Sequence, residues 1–399
     1  MRATRDVTRT EVVRPVEENE HYGGEAGGEA ETPDEPGPKP GGARPETTRP
    51  RRRIRWLRVL LTAGILTSGA LGALALYEAR TSYLQARVFS DAARTQYWDL
   101  HAGSSDRLVP PGEGPYDLRL GYTRLPDFTR RLARSGMVLE AQAVWSPEMM
   151  DAARAGLFVP YHEKMRAGLS VEDRDGGGMS QSVWPERHYP GFDDIPALVR
   201  DALVFIENRE LLTPETPTQN PAVEWDRLVF ATAQLAVKKI KPDHKAPGAS
   251  TLATQLEKFR HSPEGRTHGA KDKLRQMASA SLRAYQDGED TTAARRRIVL
   301  HYVNTVPLGA VPGYGEVQGL GDALWAWFGT DFETANDLLA ANGPSAVGVD
   351  PERRATVFRQ VLALFLAQRR PQNFLVDDRA ALGRLVDEHL RLLKTHGHI

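Results

Sequence analysis

Read from its residues alone, this 399-residue chain is a mainly α extracytoplasmic domain behind a single N-terminal transmembrane helix. Three observations carry that reading. Residues 59–77 run without a charge directly after Arg51, Arg52, Arg53, Arg55 and Arg58. From Asp194 onward, apolar residues recur at helical spacing with few breaks. Between the two, over 117–190, short mixed patterns are punctuated by glycine-rich turns, which predicts a smaller α+β region.

The first segment, 1–53, is rich in Gly, Pro, Glu, Arg and Thr and has almost no periodic apolar positions. A stretch such as GGEAGGEAETPDEPGPKPGGARP buries too little surface to offset its ordering entropy, so a disordered tail is expected. The transmembrane helix is expected over 54–78. In a helix its uncharged residues span roughly 28 Å, close to a bilayer core. Trp56 and Tyr77 stand at the two ends, where interfacial aromatics belong. The arginines set the tail in the cytoplasm and everything after Glu78 outside a single-pass cytoplasmic (inner) membrane anchor. Ala73-Leu74-Ala75 faintly matches a signal-peptide cleavage site, but so long a charged leader argues for a retained anchor.

Residues 79–190 begin with helix-compatible residues to about Trp98, read as a stalk, and break at PPGEGPYD. LPDFTRRLARSGM predicts a short helix ending at Gly136, and MVLEAQAVW a partial strand. Residues 169–171 and 179–183 predict a hairpin whose turn, 173–178, contains three glycines. In the mostly helical segment 191–399, Asp194 is read as the cap of a helix with Pro196 in its first turn, and Leu198, Ala202 and Phe205 on one face. Further helices are predicted at 222–239, 250–259, 270–286, 291–304, 317–328, 333–341, 351–368 and 376–394.

Lys+Arg and Asp+Glu both number 52, and a net charge of zero argues against nucleic acid as a partner. The absence of cysteine excludes disulfides, thiolate metal sites and cysteine nucleophiles. The eleven histidines include no HExxH or comparable spacing, so no metal ligands are assigned.

Glu207 closes an apolar helix directly after Phe205 and Ile206. Apolar surroundings disfavour a charged carboxyl, which suits a general base, although a helix-end glutamate paired with Arg209 or solvated fits the same residues. PGASTLATQLEK reads as a loop-to-helix junction capped by Ser250, with Thr251, Gln255 and Lys258 on one face. Free N–H groups at a helix start with a lysine below them form an anion site, and an ordinary capped amphipathic helix is the alternative. Lys245, Lys258, Arg260, Lys271, Lys273, Arg275 and Arg283 crowd one short stretch, as a diphosphate groove or a solvated face. Glu224 and Asp226 form a second carboxylate pair that, with Glu207, fits glycoside cleavage.

The order of these segments resembles glycosyltransferase family 51, the peptidoglycan glycosyltransferase domain of bifunctional penicillin-binding proteins and monofunctional transglycosylases, over about 168–345. Asp173-Arg174-Asp175-Gly176, Ile195-Pro196 and IENREL correspond to the first motif and its approach. GASTLATQLEKF corresponds to the second, DKLRQMASASLRA to the third, IVLHYVNTVPLGAVPGYG to the fourth, and ALWAWFG to a later stretch. The resemblance implies a lysozyme-like α+β main lobe with a smaller membrane-facing lobe, polymerising lipid II into glycan strands with release of undecaprenyl diphosphate. It implies Glu207 as catalytic base, and Ser250, Thr251, Gln255, Lys258, Lys273, Arg275 and Gln276 as substrate-binding residues. It implies lipid II, the glycan strand, the membrane and other cell-wall synthesis proteins as partners, and a divalent cation (Mg or Mn) near the diphosphate. The chain departs from the family pattern at Asn208, Phe259 and Gln276, and carries TPETPTQ before NPAVEWDR. Gln276 stands where the family has a second carboxylate, so a catalytically impaired lipid II- or glycan-binding scaffold and a glycan-cleaving hydrolase are the alternatives. LLKTHGHI resembles a point where such domains continue, which gives an expectation of C-terminal truncation.

Overall fold

The computed structural model describes residues 51–112, 114–161, 163–230, 234, 250–340 and 350–399. The tail expected to be disordered lies outside these up to residue 50, as do Lys245 and most of the helix expected at 222–239, of which 225–230 are helical. The fold is mainly α with short two-stranded sheets.

Helix α1 (Arg51–Thr81) begins and ends three residues beyond the expected span. Within it, Trp56–Thr81 is the one described stretch long and apolar enough to cross a membrane, and its most apolar window is entirely unburied. Ser82 adopts a left-handed conformation (φ 50°) and breaks the helix. The break is held from both sides: Glu78 accepts from the Leu84 and Gln85 N–H groups at 2.8 and 2.9 Å. The Thr216 and Thr218 hydroxyls donate to the Thr81 carbonyl.

Helix α2 (Tyr83–Thr95) buries Ala86, Ser90 and Ala93 and packs on a later helix, so it does not stand free as the expected stalk. Small residues at spacings of four and three allow that close approach. Strand β1 (Trp98–Ala102) pairs antiparallel with β2 (Ala141–Trp145). Between them lie α3 (Pro115–Arg119) and α4 (Leu125–Arg134), the latter followed by Gly136 at φ +80° as anticipated. After α5 (Pro147–Arg154), β3 (Ala167–Glu172) and β4 (Gly178–Trp184) form the predicted hairpin. Its turn is an Asx arrangement in which Asp173 Oδ1 accepts from the Asp175 and Gly177 N–H groups, with Gly176 at φ +83°.

The remaining helices are α6 (Ala197–Glu207), α7 (Leu252–His261), α8 (Ala270–Ala284), α9 (Thr292–Thr305), α10 (Gly319–Phe328), α11 (Phe332–Ala340), α12 (Pro351–Ala367) and α13 (Arg379–Thr395). Strands β5 (Pro307–Val311) and β6 (Gly315–Gln318) sit between α9 and α10. Asp194 does not cap α6: Pro196 occupies the cap position in an extended conformation (ψ 136°), and the helix starts after it without a side-chain cap. One apolar core joins α6 through Leu203 and Phe205, α7 through Leu252 and Leu256, α9 through Tyr302 and Val303, and α12 through Val361–Leu366. Helix α6 is thereby clamped along its apolar face, which fixes where its last residue, Glu207, points.

Candidate active site

Glu207 ends α6 at 3% exposure. A carboxylate so buried needs donors for both oxygens, and three side chains supply them. Gln255 Nε2 donates to Oε2 at 2.9 Å. Gln368 Nε2 donates to Oε1 at 3.1 Å. Arg369 Nη2 touches both oxygens, at 3.2 and 3.1 Å. The Tyr302 hydroxyl donates to Gln255 Oε1 at 3.3 Å, which turns the amide so that its NH2 faces Glu207. At the C-terminal end of α6, Arg227 Nη1 binds the Glu207 carbonyl at 2.9 Å and Glu224 Oε2 at 2.8 Å. Asn208 donates to the other Glu224 oxygen.

Glu207 also borders a cleft of about 380 Å³. Leu76, Ala79 and Arg80 from the last turns of α1 also line it, as do Glu224 and Arg227. The outer end of the apolar helix therefore lines the same cleft as the end of α6, while the Glu207 carboxylate itself is turned to Gln255, Gln368 and Arg369.

The N-terminus of α7 is capped by Thr251, not by Ser250. The Thr251 hydroxyl accepts from the Thr254 N–H, and the Thr254 hydroxyl accepts from the Thr251 N–H. Ser250 is thereby left outside the helix, where it accepts from Lys273 Nζ at 2.7 Å. Lys258 and Lys273 both sit below the usual lysine range. Burial lowers Lys258 most, and Arg369 adds repulsion, against the opposing pull of Glu207. Burial, then Lys258, then Arg227 push Lys273 down to about 8. Lys258 is thus repelled by Arg369, and Lys273 by Lys258 and Arg227, and an anion bound beside the lysine pair relieves that repulsion.

Among the proposed site residues, the fold thus gathers Glu207, Ser250, Thr251, Gln255, Lys258 and Lys273. Arg275 and Gln276 have other partners. The Arg275 guanidinium lies over the Phe158 ring at 5.8 Å and against Gly156. Gln276 is buried, donating to Ser262 at 3.0 Å and exchanging hydrogen bonds with Thr267. Gln368 and Arg369 were not legible in the sequence, since AQRRP at a helix end carries no signal that it returns to α6.

Farther along, α7 ends in a buried charge cluster. His261 Nδ1 contacts Asp117 at 2.9 Å and Nε2 lies 2.8 Å from Glu163. Arg260 pairs with Glu163 at 2.8 Å, and Arg283 joins Glu163 and Glu257 at 2.9 and 2.8 Å. Burial works to lower the His261 pKa, but Glu163, Asp117 and Glu257 outweigh it and raise it to about 9. Burial, with Arg260 adding to it, takes His301 down to about 3, so the imidazole is neutral and its Nδ1 accepts from Arg260 at 3.2 Å.

A divalent cation does not fit the donor set. The Glu207 carboxylate is contacted by amide and guanidinium donors, and among the described residues no group of three or more His, Cys, Asp or Glu is placed to hold a metal.

A search of curated proteins finds no match to the chain. The transglycosylase family model does match, over residues 176–368, a span from the β3–β4 turn to Gln368 that takes in Glu207, α7 and the lysine pair. Residues 176–368 thus match the transglycosylase family, consistent with a glycosyltransferase family 51 domain, and follow a helix that fits a single-pass membrane anchor.

Proposed function

We propose that the chain polymerises a lipid-linked disaccharide, lipid II, into glycan strands on the outer face of the cytoplasmic membrane. Glu207 is the general base. It takes the proton from the acceptor sugar's 4-hydroxyl as that oxygen attacks the anomeric carbon of the donor. The new C1–O4 bond forms as the C1–O bond to the diphosphate breaks, and undecaprenyl diphosphate leaves with the electron pair. Lys258, Lys273 and Ser250 receive the departing charge, the two lysines being buried enough for their fixed charge to matter.

One observation carries this reading: the buried Glu207 carboxylate lies close to a repelling lysine pair, and the segment that bears it lines a cleft shared with the outer turns of the apolar helix. A hydrolase of soluble glycan has no need of that helix. The cytoplasmic arginines before residue 59 orient the chain so that the cleft faces outward.

The test uses the full chain in lipid nanodiscs with labelled lipid II. Long glycan strands are expected, falling at least about 10²-fold in Glu207→Gln, a typical loss for removing a general base. Binding of lipid II without turnover would instead mark a scaffold, and shortening of preformed glycan a hydrolase.

A further inference from the structure

Arg369 stands in the turn after α12, one residue past the end of the family match. Its side chain is 62% exposed while the Glu207 side chain it contacts is 2% exposed. The contact is one-ended: a single nitrogen, Nη2, spans both oxygens, at distances longer than the 2.7–2.9 Å typical of a strong charge-assisted bond. Among the described residues Nε and Nη1 have no recorded partner, so most of the guanidinium's donors face outward. Glu207 keeps two neutral donors, Gln255 and Gln368, whether or not Arg369 is in place. Beside it lies Lys258, whose ammonium Arg369 repels.

A base with both oxygens held by a cation is poorly placed to accept a proton, and this cation is the exposed one of the three side chains that hold Glu207. We propose that Arg369 is a positioning residue exchanged during the cycle: it holds Glu207 while the site is empty and transfers to the diphosphate of the donor when that anion arrives beside Lys258. Donor binding then both completes the cation set and frees the base. An acceptor hydroxyl meets a competent carboxylate only when a donor is present. This rests on Glu207 as the base for its catalytic meaning, but the exchange itself is a statement about an anion and an ion pair.

Two measurements on the full chain in nanodiscs test it. Titration with inorganic pyrophosphate is expected to show about tenfold weaker binding in Arg369→Gln, with Arg369→Lys intermediate. Equal affinity in all three proteins overturns the proposal. Labelling of Glu207 by a water-soluble carbodiimide, read by mass spectrometry, is expected to rise several-fold when pyrophosphate is added to the wild type. In Arg369→Gln it is expected to be high from the start and insensitive to pyrophosphate. Labelling that stays flat or falls in the wild type means that Arg369 does not leave. With lipid II as substrate, exchange predicts a several-fold higher KM and a kcat within about twofold in Arg369→Gln, whereas a permanent clamp predicts lower kcat at constant KM. Should Glu207→Gln polymerise normally while the pyrophosphate results hold, the base assignment fails and the exchange stands.

Discussion

Lys273 shows how one side chain reports on its pocket. Its Nζ is committed to Ser250 at 2.7 Å, and burial together with Lys258 and Arg227 brings it down to about 8. Near neutral pH it is mostly charged, at a cost that a bound anion removes, so anion binding at pH 8 draws in a proton. Pyrophosphate affinity should therefore drop as pH rises through about 8, well below the range in which an ordinary lysine titrates. Titrations from pH 7 to 9.5 check this, with Lys273→Met separating the lysine's contribution from pyrophosphate's own ionisation. A Lys273→Met profile identical in slope to the wild type would remove Lys273 from the pocket. Glu207, Gln255 and Lys258 were legible because the end of an apolar helix and a face of α7 fix their positions locally. Gln276 shares that helical logic with Lys273, three residues away, yet Ser262 and Thr267 satisfy its amide elsewhere. Periodicity places a residue on a face; which neighbour claims its polar atoms is a tertiary matter.

Helix α7 is held differently at its two ends. Its start is fixed by a local capping box that the sequence places within one residue. Its end is fixed by groups far away in the chain, Asp117 and Glu163, which the sequence gives no reason to connect to His261. Gly114 opens α3 where a Cβ would collide with the Arg260 carbonyl, so the small α+β region is pressed directly onto this end of α7. That gives the region after the anchor a structural purpose: it seats the helix that carries Lys258. The cluster sets a pH window. The His261 pKa is raised in the folded chain, so its stabilisation is complete below about 6.5 and is lost as pH rises through about 9. A shift of that size corresponds to a few kcal/mol, on the order of 3, between neutral and strongly alkaline pH. Glu163 acts on the other flank: burial opposes its charge, but Arg283, His261 and Arg260 outweigh it and hold it well below the usual carboxylate range. Its contribution is present above about 4.5 and fades only in strong acid. Thermal melts should show Tm falling between pH 7 and 10, and His261→Gln should start lower and lose most of that slope. An unchanged alkaline slope in the variant would place the pH dependence elsewhere.

The chain as a whole couples an apolar helix to a helical domain through the bend at Ser82. The mainly α character, the long apolar helix and the β3–β4 hairpin were all readable, because each rests on periodicity, length or turn residues that act over a few positions. The docking of α2 was not, since Ala86, Ser90 and Ala93 are equally compatible with an exposed stalk until a partner helix is known. Nor was the entry of Leu76, Ala79 and Arg80 into the cleft at the end of α6, for hydropathy registers only that a helix is long and apolar enough to span a bilayer. That shared wall has a kinetic meaning. A substrate that is itself dissolved in the leaflet reaches the carboxylate by lateral diffusion and never crosses bulk water. Turnover should then follow the mole fraction of lipid II among the other lipids, and adding inert phospholipid to proteoliposomes at fixed total lipid II should slow it in proportion. Rates that track only the concentration per litre would mean that the substrate arrives from solution.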